Sequence, residues 1–444
     1  YRTSGNDDLS RDNEITFKGL LDSDGNKIPA YCIRGIDDSY SKNNYFIRYL
    51  LSDFKDVNSL LDVPQIQKLL EEKEFLYCEN EFHDIQRRIK KIIKSEETLM
   101  LILKVTKDCN FRCIYCYEQF SDKNMSVDVQ DNIISFIKNK INMGTIKHLI
   151  ISWFGGEPLM NMECIRYMGK EIKCFCELRH VKYSSSVVTN GFLLNRKVVK
   201  ELVDLGVNTF QITIDGDAEI HNKQRRLANG LETYSVIKNN LFDLKNLEGD
   251  FQIVLRTNIS QQMLGNLDAY INDFSPLFKD KRFFAMYHTV VDFSDLSHDV
   301  TDRQVLNEII YALDKGFRFT SMTDYLSISS KYCYAAKDNH FVVDVDGMLS
   351  KCTETNEEYS FIGKIISDGT IEKNQFFNIW RGTRLSDKCL DCENYSICGG
   401  GECPLYYLKH GIARCMKYYT LDEKELLLKV SEQQGQYNLT LRKK

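Results

Sequence analysis

Three cysteines stand close together directly after a run of apolar residues. The apolar run covers residues 99–105 and predicts a buried strand. The cysteines that follow it, Cys109, Cys113 and Cys116, have the spacing C-x3-C-x2-C. A cubane of four irons has four corners, so three thiolates leave one iron open to a small molecule. Zinc with an outside fourth ligand is the alternative, although structural zinc sites usually show two C-x2-C pairs.

A second motif, Gly155-Gly156-Glu157-Pro158, follows the next predicted strand. With the cysteine spacing and the aromatic residue before the third cysteine, it resembles the radical S-adenosylmethionine (radical SAM) enzymes. The resemblance implies that Cys109, Cys113 and Cys116 bind a [4Fe-4S] cluster whose open iron takes S-adenosylmethionine. It also implies one-electron cleavage of that molecule to a 5'-deoxyadenosyl radical. The cofactor carries this chemistry, and the protein supplies binding and orientation.

Predicted strands and helices alternate from residue 99 to about residue 300. Apolar runs predict six strands, at residues 99–105, 148–154, 184–189, 209–214, 251–257 and 283–290. Periodic patterns predict helices between them, at residues 129–141, 162–178, 196–205, 233–244 and 263–274. This order favours right-handed crossovers and a parallel sheet, so the predicted fold class is α/β. A partial (β/α)6 TIM-like barrel is the fold of the resembled family and fits the alternation.

The chain has 444 residues, too many for one ordinary core. We expect an N-terminal module over residues 1–95, the radical SAM core over 96–300, and a bridging and cysteine-rich region over 301–444. The module shows strand patterns at 15–20, 28–33 and 45–51 and helix patterns at 64–70 and 82–94. A small winged-helix-like α+β module has this order, and in peptide-modifying relatives it serves as a leader-peptide recognition element. A packing extension of the barrel is the alternative.

The resemblance also assigns S-adenosylmethionine binding to residues at the first two strand ends. Tyr115 would lie near the adenine, although a lone tyrosine there is otherwise a packing residue. Gly155 and Gly156 would let the backbone approach the ligand closely. Glu157 receives a binding role by resemblance only.

Further binding residues are expected at the ends of the third, fourth and fifth strands. Thr189 and Asn190 match the family's polar turn beside the methionine and ribose, with an ordinary Asn-Gly turn as the alternative. Thr213 and Asp215 are two residues apart on one strand face. The resemblance assigns them to the ribose, and a cap on the next loop is the alternative for Asp215. Arg256 at an interior strand end needs an anion. The carboxylate of S-adenosylmethionine is one candidate, and a buried ion pair is the other.

Cysteines return after residue 330. They are Cys333, Cys352, Cys389, Cys392, Cys398, Cys403 and Cys415. With Gly347 their pattern is C-x13-G-x4-C, then C-x2-C-x5-C-x4-C, then a final cysteine. This pattern resembles the SPASM extension of radical SAM enzymes, which binds two auxiliary [4Fe-4S] clusters. The usual spacing before Cys403 is one residue shorter, and two zinc sites are the alternative.

The resemblance implies an interleaved ligation of the two auxiliary clusters. The outer cluster would be held by Cys389, Cys392, Cys398 and Cys415. The inner cluster would be held by Cys333, Cys352 and Cys403. Its fourth ligand would be a substrate thiolate, water, a carboxylate or a distant cysteine such as Cys32 or Cys78. The cofactors would then be S-adenosylmethionine and three [4Fe-4S] clusters.

Composition restricts the kinds of partner and the cellular location that we expect for the protein. A net charge of -5 gives no support for nucleic-acid binding. Apolar residues make up 43% of the chain, but no run is long enough to span a bilayer, and we expect no secretory signal. Fifteen cysteines in so long a chain suggest metal ligands rather than a disulfide scaffold. Oxygen-sensitive clusters favour the cytoplasm, with flavodoxin or ferredoxin as electron donor.

The expected function is that of a radical SAM oxidoreductase that matures a ribosomally made peptide. It would bind a precursor peptide with a leader sequence, abstract one hydrogen and form a cross-link, most simply a cysteine thioether. A carbon-carbon or carbon-oxygen link would use the same parts. The alternatives are a sulfatase-maturing enzyme that makes formylglycine and a non-catalytic iron-sulfur electron carrier. The long segment before the cysteine loop argues against the first, and the open iron argues against the second.

Overall fold

The computed structural model describes residues 93–290 continuously, and then residues 299–320, 333–354, 358–380 and 403–412. Three strands before residue 50 and some single residues are also described. The chain divides into two compact units, Tyr1–Arg87 with Gly435–Lys444, and Arg88–Gln434.

The first unit contains an antiparallel sheet. Its strands, which pair in the order β1-β2-β3, are β1 (Glu14–Thr16), β2 (Ala30–Arg34) and β3 (Tyr45–Tyr49). They overlap the three strands predicted here. The predicted helix at residues 64–70 lies outside the described residues, and most of the one at 82–94 does too. The winged-helix-like arrangement therefore stays a prediction.

The second unit is built on a larger sheet. The strands described in it are β4 (Thr98–Lys104), β5 (Phe111–Cys113), β6 (His148–Phe154), β7 (Lys182–Thr189), β8 (Val207–Thr213), β9 (Arg225–Leu227), β10 (Gln252–Ile259), β11 (Phe283–Thr289), β12 (His340–Val343), β13 (Met348–Ser350), β14 (Phe361–Ile365) and β15 (Ile371–Lys373). The α-helices are α1 (Val127–Asn142), α2 (Met162–Leu178), α3 (Arg196–Asp204), α4 (Ala218–Gln224), α5 (Tyr234–Lys245), α6 (Asp268–Phe274), α7 (Asp302–Asp314) and α8 (Pro404–His410). Within the described ranges, no helix is both long and apolar enough to cross a membrane.

The sheet order is β11-β10-β8-β7-β6-β4-β12-β13-β14-β15. The strands from β11 to β12 are parallel, and those from β12 to β15 are antiparallel. Six of the parallel strands follow one another along the chain with crossovers between them, as in a barrel. Strand β4 pairs with β12 on its other side, which leaves the barrel open. The structure thus confirms the predicted mixed α/β fold with a partial barrel.

The predicted core strands all form, with ends within two residues of the expected positions. They form because their apolar runs are buried, and the following helices begin at side-chain caps. Ser126, Asn161 and Asn195 accept hydrogen bonds from the first turns of α1, α2 and α3. The helix predicted at 263–274 is wrong in its first half. A turn with Gly265 at φ +70° precedes Asp268, where α6 begins.

Two features of this unit were not predicted. Strands β12–β15 continue the core sheet across the expected boundary at residue 300. Strands β5 and β9 form a separate two-stranded antiparallel ribbon, which joins the cysteine loop to the segment after α4. Both features bring cysteine-bearing segments to the barrel.

Candidate active site

The cysteine loop between β4 and β5 places three thiols at different depths. Cys109 is buried, Cys113 is half-buried and Cys116 is exposed. The Phe111 N–H donates to Cys109 Sγ at 3.4 Å, and the Cys116 N–H donates to the Cys113 carbonyl at 3.2 Å. Burial raises the pKa of the Cys109 thiol to about 12. This sulfur therefore keeps its proton at neutral pH unless a metal cation replaces it.

The loop fits an iron-sulfur cubane. Among the described residues, no three His, Cys, Asp or Glu side chains are gathered to hold a single metal ion. A cubane does not require that gathering, because each of its irons binds one thiolate. The N–H that points at Cys109 Sγ is a donor of the kind that tunes iron-sulfur sites. Cys109, Cys113 and Cys116 would hold the cluster.

Gly155 and Gly156 hold the cysteine loop against the end of β6. A Cβ on Gly155 would lie 2.3 Å from the Thr106 carbonyl oxygen, and one on Gly156 would lie 2.2 Å from that of Asp108. The N–H groups of Gly156 and Glu157 donate to these same carbonyls at 3.0 and 2.8 Å. Both glycines thus approach the loop backbone closely, and their approach to a ligand stays a prediction.

Glu157 is fully buried and joins three strand ends. Its carboxylate accepts hydrogen bonds from Thr189 Oγ1 and the Asn190 N–H, each at 2.7 Å, and from the Leu159 N–H at 3.1 Å. Asn190 Nδ2 in turn donates to Asn110 Oδ1 in the cysteine loop at 2.7 Å. Burial raises the pKa of Glu157, and the three hydrogen bonds oppose the rise. Glu157 thus connects the loops that follow β6 and β7, and its role in ligand binding stays a prediction.

Tyr115 and Asp215 belong to one buried network beyond β8. The Tyr115 hydroxyl donates to Asp215 Oδ2, and Arg225 Nη1 donates to the Tyr115 oxygen at 2.7 Å. The Asn258 N–H donates to Asp215 Oδ1 at 2.9 Å. Burial raises the pKa of Tyr115, so its hydroxyl stays a donor. Within the described residues, Arg225 Nε is buried without a hydrogen-bond partner, which leaves a donor that S-adenosylmethionine could satisfy.

His221 supports this network from behind. Its Nδ1 accepts the Asp215 N–H at 3.2 Å, which makes Nε2 the protonated nitrogen. Nε2 lies 3.1 Å from Thr233 Oγ1, and that hydroxyl donates to the Arg225 carbonyl at 2.6 Å. Burial lowers the pKa of His221 well below its usual value, and the charge of Arg225 adds to this effect. A proton on Nδ1 would point at the Asp215 N–H and break the chain of hydrogen bonds.

We expect the protein to lose stability in mild acid because of His221. An unfolded histidine binds a proton near pH 6.5, whereas the folded, depressed-pKa His221 does not. The contribution of the neutral histidine to the free energy of unfolding is complete above pH 6.5. At lower pH this contribution decreases by at most about 1.4 kcal/mol per pH unit for each such histidine. Urea unfolding from pH 7.5 to 5.5 measures the slope. His340 behaves alike, and burial also lowers the pKa of His148, so His221→Asn should remove at most about half of this slope.

The matched control for this prediction is His180→Gln. His180 is exposed, so its replacement should leave the pH dependence of unfolding unchanged. A slope in His221→Asn equal to that of the unaltered protein would contradict the assignment.

Thr213 on β8 and Arg256 on β10 are register partners on neighbouring parallel strands. Arg256 Nε donates to Asn258 Oδ1 at 3.0 Å. Burial raises the pKa of the Glu354 carboxyl, while its hydrogen bond with Thr353 and the nearby charge of Arg256 lower it. Arg256 therefore has a protein carboxylate as a neighbour, and its assignment to the carboxylate of S-adenosylmethionine stays a prediction.

The predicted inner set, Cys333, Cys352 and Cys403, comes from three separate segments of the chain. Cys333 precedes a 3-10 turn, Cys352 follows β13, and Cys403 precedes α8. Burial raises the pKa of Cys333 to about 11 and of Cys352 to about 12, and Cys403 adds to both rises. Each of these thiols thus lies within electrostatic reach of Cys403. They are the predicted inner set, and their softness and proximity fit a cluster.

The predicted outer set is only partly described. Cys389 and Cys415 are described as single residues, whereas Cys392 and Cys398 lie outside the described part of the chain. The outer ligation therefore stays a prediction.

Side chains to which the sequence assigned no role lie beside predicted ligands of both thiol sets. Tyr117 follows Cys116 and lies in the electrostatic surroundings of Glu354 and Tyr334, and Thr353 Oγ1 lies 2.9 Å from the Tyr334 hydroxyl. The Glu354 N–H donates to Cys352 Sγ at 3.4 Å. The sequence indicates these residues only by their position, because Tyr117 and Thr353 each directly follow a predicted cysteine ligand.

Comparison with known proteins agrees with this geometry. The sequence model of the radical SAM superfamily matches residues 103–261. The radical SAM cyclopropyl synthase TigE of Paramaledivibacter caminithermalis is 23% identical over 402 residues, which cover 82% of each chain. A cysteine-type anaerobic sulfatase-maturating enzyme of Clostridium perfringens is 25% identical over 191 residues, which cover 41% of this chain and about half of that enzyme (49%).

The fold is also similar to a solved structure, that of anSMEcpe with bound AdoMet and the Kp18Cys peptide. The TM-score is 0.59 at 19% identity, and the match covers 77% of this chain and 99% of that one. At this identity the likeness concerns the fold. Since the superfamily match spans the cysteine loop, the glycine motif and the Asp215 network, residues 103–261 form a radical S-adenosylmethionine domain.

Proposed function

We propose that this chain is a radical SAM maturase of a ribosomally made precursor peptide, and that it forms an intrapeptide cross-link, most simply a cysteine thioether. The observation that carries the proposal is the strand pairing of β4 with β12 and of β12 with β13, because the cysteine loop follows β4 and Cys352 follows β13. This continuous sheet supports a second thiol set, Cys333, Cys352 and Cys403, near the radical domain. An enzyme that only cleaves S-adenosylmethionine, without a second redox centre, would not need this second thiol set.

When bound, the cluster and S-adenosylmethionine supply a 5'-deoxyadenosyl radical. The residues of this chain bind, orient and exclude water. Cys109, Cys113 and Cys116 would hold the radical-generating cluster, and Tyr115, Asp215 and Arg225 form the rigid wall beside it. Rigid, buried hydrogen bonds keep reacting groups in position and keep solvent away from a reactive species.

The remaining parts have roles that the geometry supports. Cys333, Cys352 and Cys403 would hold an inner auxiliary cluster that takes up the electron released on oxidation of the peptide. Loss of one hydrogen atom, one proton and one electron accounts for a thioether formed from a thiol and a C–H bond. The antiparallel sheet β1–β3 has two edge strands, which suit the pairing of an extended leader segment. A reduced flavodoxin or ferredoxin would supply the first electron.

The test is mass spectrometry of a cysteine-containing precursor peptide after anaerobic incubation with the enzyme, S-adenosylmethionine and dithionite. We expect a loss of two hydrogens and one cysteine that no longer reacts with iodoacetamide. The same mass loss with every thiol still reactive would indicate a carbon-centred link instead. An unchanged peptide despite release of 5'-deoxyadenosine would contradict the peptide assignment.

A formylglycine-forming sulfatase maturase is the second candidate. The similarity to the anSMEcpe fold and to the sulfatase-maturating enzyme of Clostridium perfringens favours it. The same incubation separates the two, because formylglycine is an aldehyde and reacts with a hydrazide, whereas a thioether does not.

A further inference from the structure

The ribbon of β5 and β9 has two different faces. Strand residues alternate between faces, and in register Arg112 lies opposite Arg226 while Cys113 lies opposite Arg225. Phe111 and Arg225 are buried, whereas Arg112 and Arg226 are exposed. The ribbon is one strand layer thick, so its exposed face is the outer surface directly behind the cysteine loop.

The exposed face is basic at its centre and apolar at its ends. The Ile114 N–H continues the pairing to the Gln224 carbonyl at 3.0 Å, and the Ile114 side chain is 75% exposed. At the other end the Leu227 N–H donates to the Leu231 carbonyl at 3.0 Å, and Leu231 is 62% exposed. We call Arg112, Ile114, Arg226 and Leu231 the ribbon face.

The two arginines of the ribbon face lack an acidic partner in the described part of the chain. Arg112 Nη1 donates to the carbonyls of Cys109 and Phe111 and lies over the Phe120 ring, and Arg226 Nε donates to the Asn222 carbonyl. These contacts fix the positions of both guanidinium groups, which stay exposed, without neutralising their charge. Like charges directly opposite each other on paired strands are destabilising. The fold keeps such a pair here, which points to an external anionic group.

We propose that the ribbon face is the docking site of an acidic one-electron carrier protein, which reduces the cluster held by Cys109, Cys113 and Cys116. The inference rests on the proposed radical SAM function and names the partner of that site. One electron passes from the reduced flavin of the carrier to the cluster, and no bond forms or breaks in that step.

Charge explains why a local basic face is needed. The chain carries a net charge of -5, so its overall field repels an acidic carrier. Two arginines without an acidic partner among the described residues make the ribbon face locally basic, which favours one orientation of the carrier there. The exposed Ile114 and Leu231 supply the apolar contacts of a small, transient interface. Interfaces between redox partners are usually of this weak, small kind.

The experiment compares two reductants, purified flavodoxin hydroquinone and dithionite, in anaerobic assays of 5'-deoxyadenosine formation. Arg226→Glu should lower the flavodoxin-driven rate by about tenfold at low salt, and the difference should shrink at high salt. Its dithionite-driven rate should match that of the unaltered enzyme, because dithionite needs no docking face. Arg226→Lys keeps the charge but not the bond to Asn222, and should retain most of the flavodoxin-driven rate.

Lys200→Glu is the matched control, because it makes the same charge change at an exposed position of α3. It should change the flavodoxin-driven rate less than about twofold. An equal loss in both variants, no loss in Arg226→Glu, or a parallel loss with dithionite would overturn the docking proposal. Loss of peptide modification alone would assign the face to the peptide and overturn it too. If the unaltered enzyme forms no 5'-deoxyadenosine with dithionite, the radical SAM function itself fails.

Discussion

Replacing Cys109, Cys113 and Cys116 together with alanine should abolish cleavage of S-adenosylmethionine, with a loss of at least about a thousandfold. The reason is that no other described thiols stand in this loop to hold the radical-generating cluster. If both proposed auxiliary clusters form, iron content should fall from about twelve to about eight atoms per chain, because their ligands are unchanged in this variant. Anaerobic assay of 5'-deoxyadenosine and iron analysis of the same preparations measure both effects.

The control for this variant is Cys174→Ala. Cys174 is an exposed cysteine on α2 and belongs to none of the predicted ligand sets. Its replacement should leave both cleavage and iron content unchanged. Substantial cleavage by the triple variant would show that the cluster lies elsewhere.

Gly156→Ala should destabilise the cysteine loop although it adds only one methyl group. The new Cβ would lie 2.2 Å from the Asp108 carbonyl oxygen, and a backbone carbonyl cannot move aside as a flexible side chain can. We expect a loss of about 3 kcal/mol of unfolding free energy, at the upper end for overpacking. Displacement of the loop by about 1 Å should also slow cleavage about a hundredfold. Urea unfolding and the 5'-deoxyadenosine assay measure the two effects.

Gly169→Ala provides the matched comparison. A Cβ on Gly169 would meet the Leu205 side chain at 3.5 Å, an ordinary contact, within the helix α2. Alanine in a helix interior is favoured over glycine by about 0.5–1 kcal/mol, so this variant should gain stability. Equal changes in unfolding free energy and cleavage rate in the two variants would show that Gly156 does not pack tightly against the Asp108 carbonyl.

The core of the fold could be predicted from the sequence because its signals are local and strong. The strand at His148–Phe154 and the helix at Met162–Leu178 form at the predicted residues. The first is a buried apolar run, and the second begins at the Asn161 cap and keeps one apolar face. Such elements specify their own ends, so little depends on distant parts of the chain.

The parts that could not be predicted depend on long-range pairing. Strands β13 and β15 have three residues each, too few to show a period, and β5 and β9 are equally short. Their pairing partners are set by the tertiary fold, which local patterns do not encode. The same holds for Glu354, whose approach to Arg256 joins segments almost 100 residues apart.

The structure adds contacts to the predicted site that the sequence does not indicate. Tyr115 and Asp215 do lie together at strand ends, but they bond to each other and to Arg225. Glu157 is used to join strand ends, with its carboxylate satisfied by protein groups. A sequence motif indicates that a residue stands near the reaction, whereas the partner of its side chain depends on the folded surroundings.

We expect a radical formed in this domain to take a hydrogen from the precursor peptide. The most direct measurement uses that cysteine-containing peptide with deuterium on its carbon-bound positions, incubated anaerobically with enzyme, S-adenosylmethionine and dithionite. The released 5'-deoxyadenosine should acquire one deuterium in step with the loss of mass from the peptide. Unlabelled 5'-deoxyadenosine beside a modified peptide would contradict this expectation.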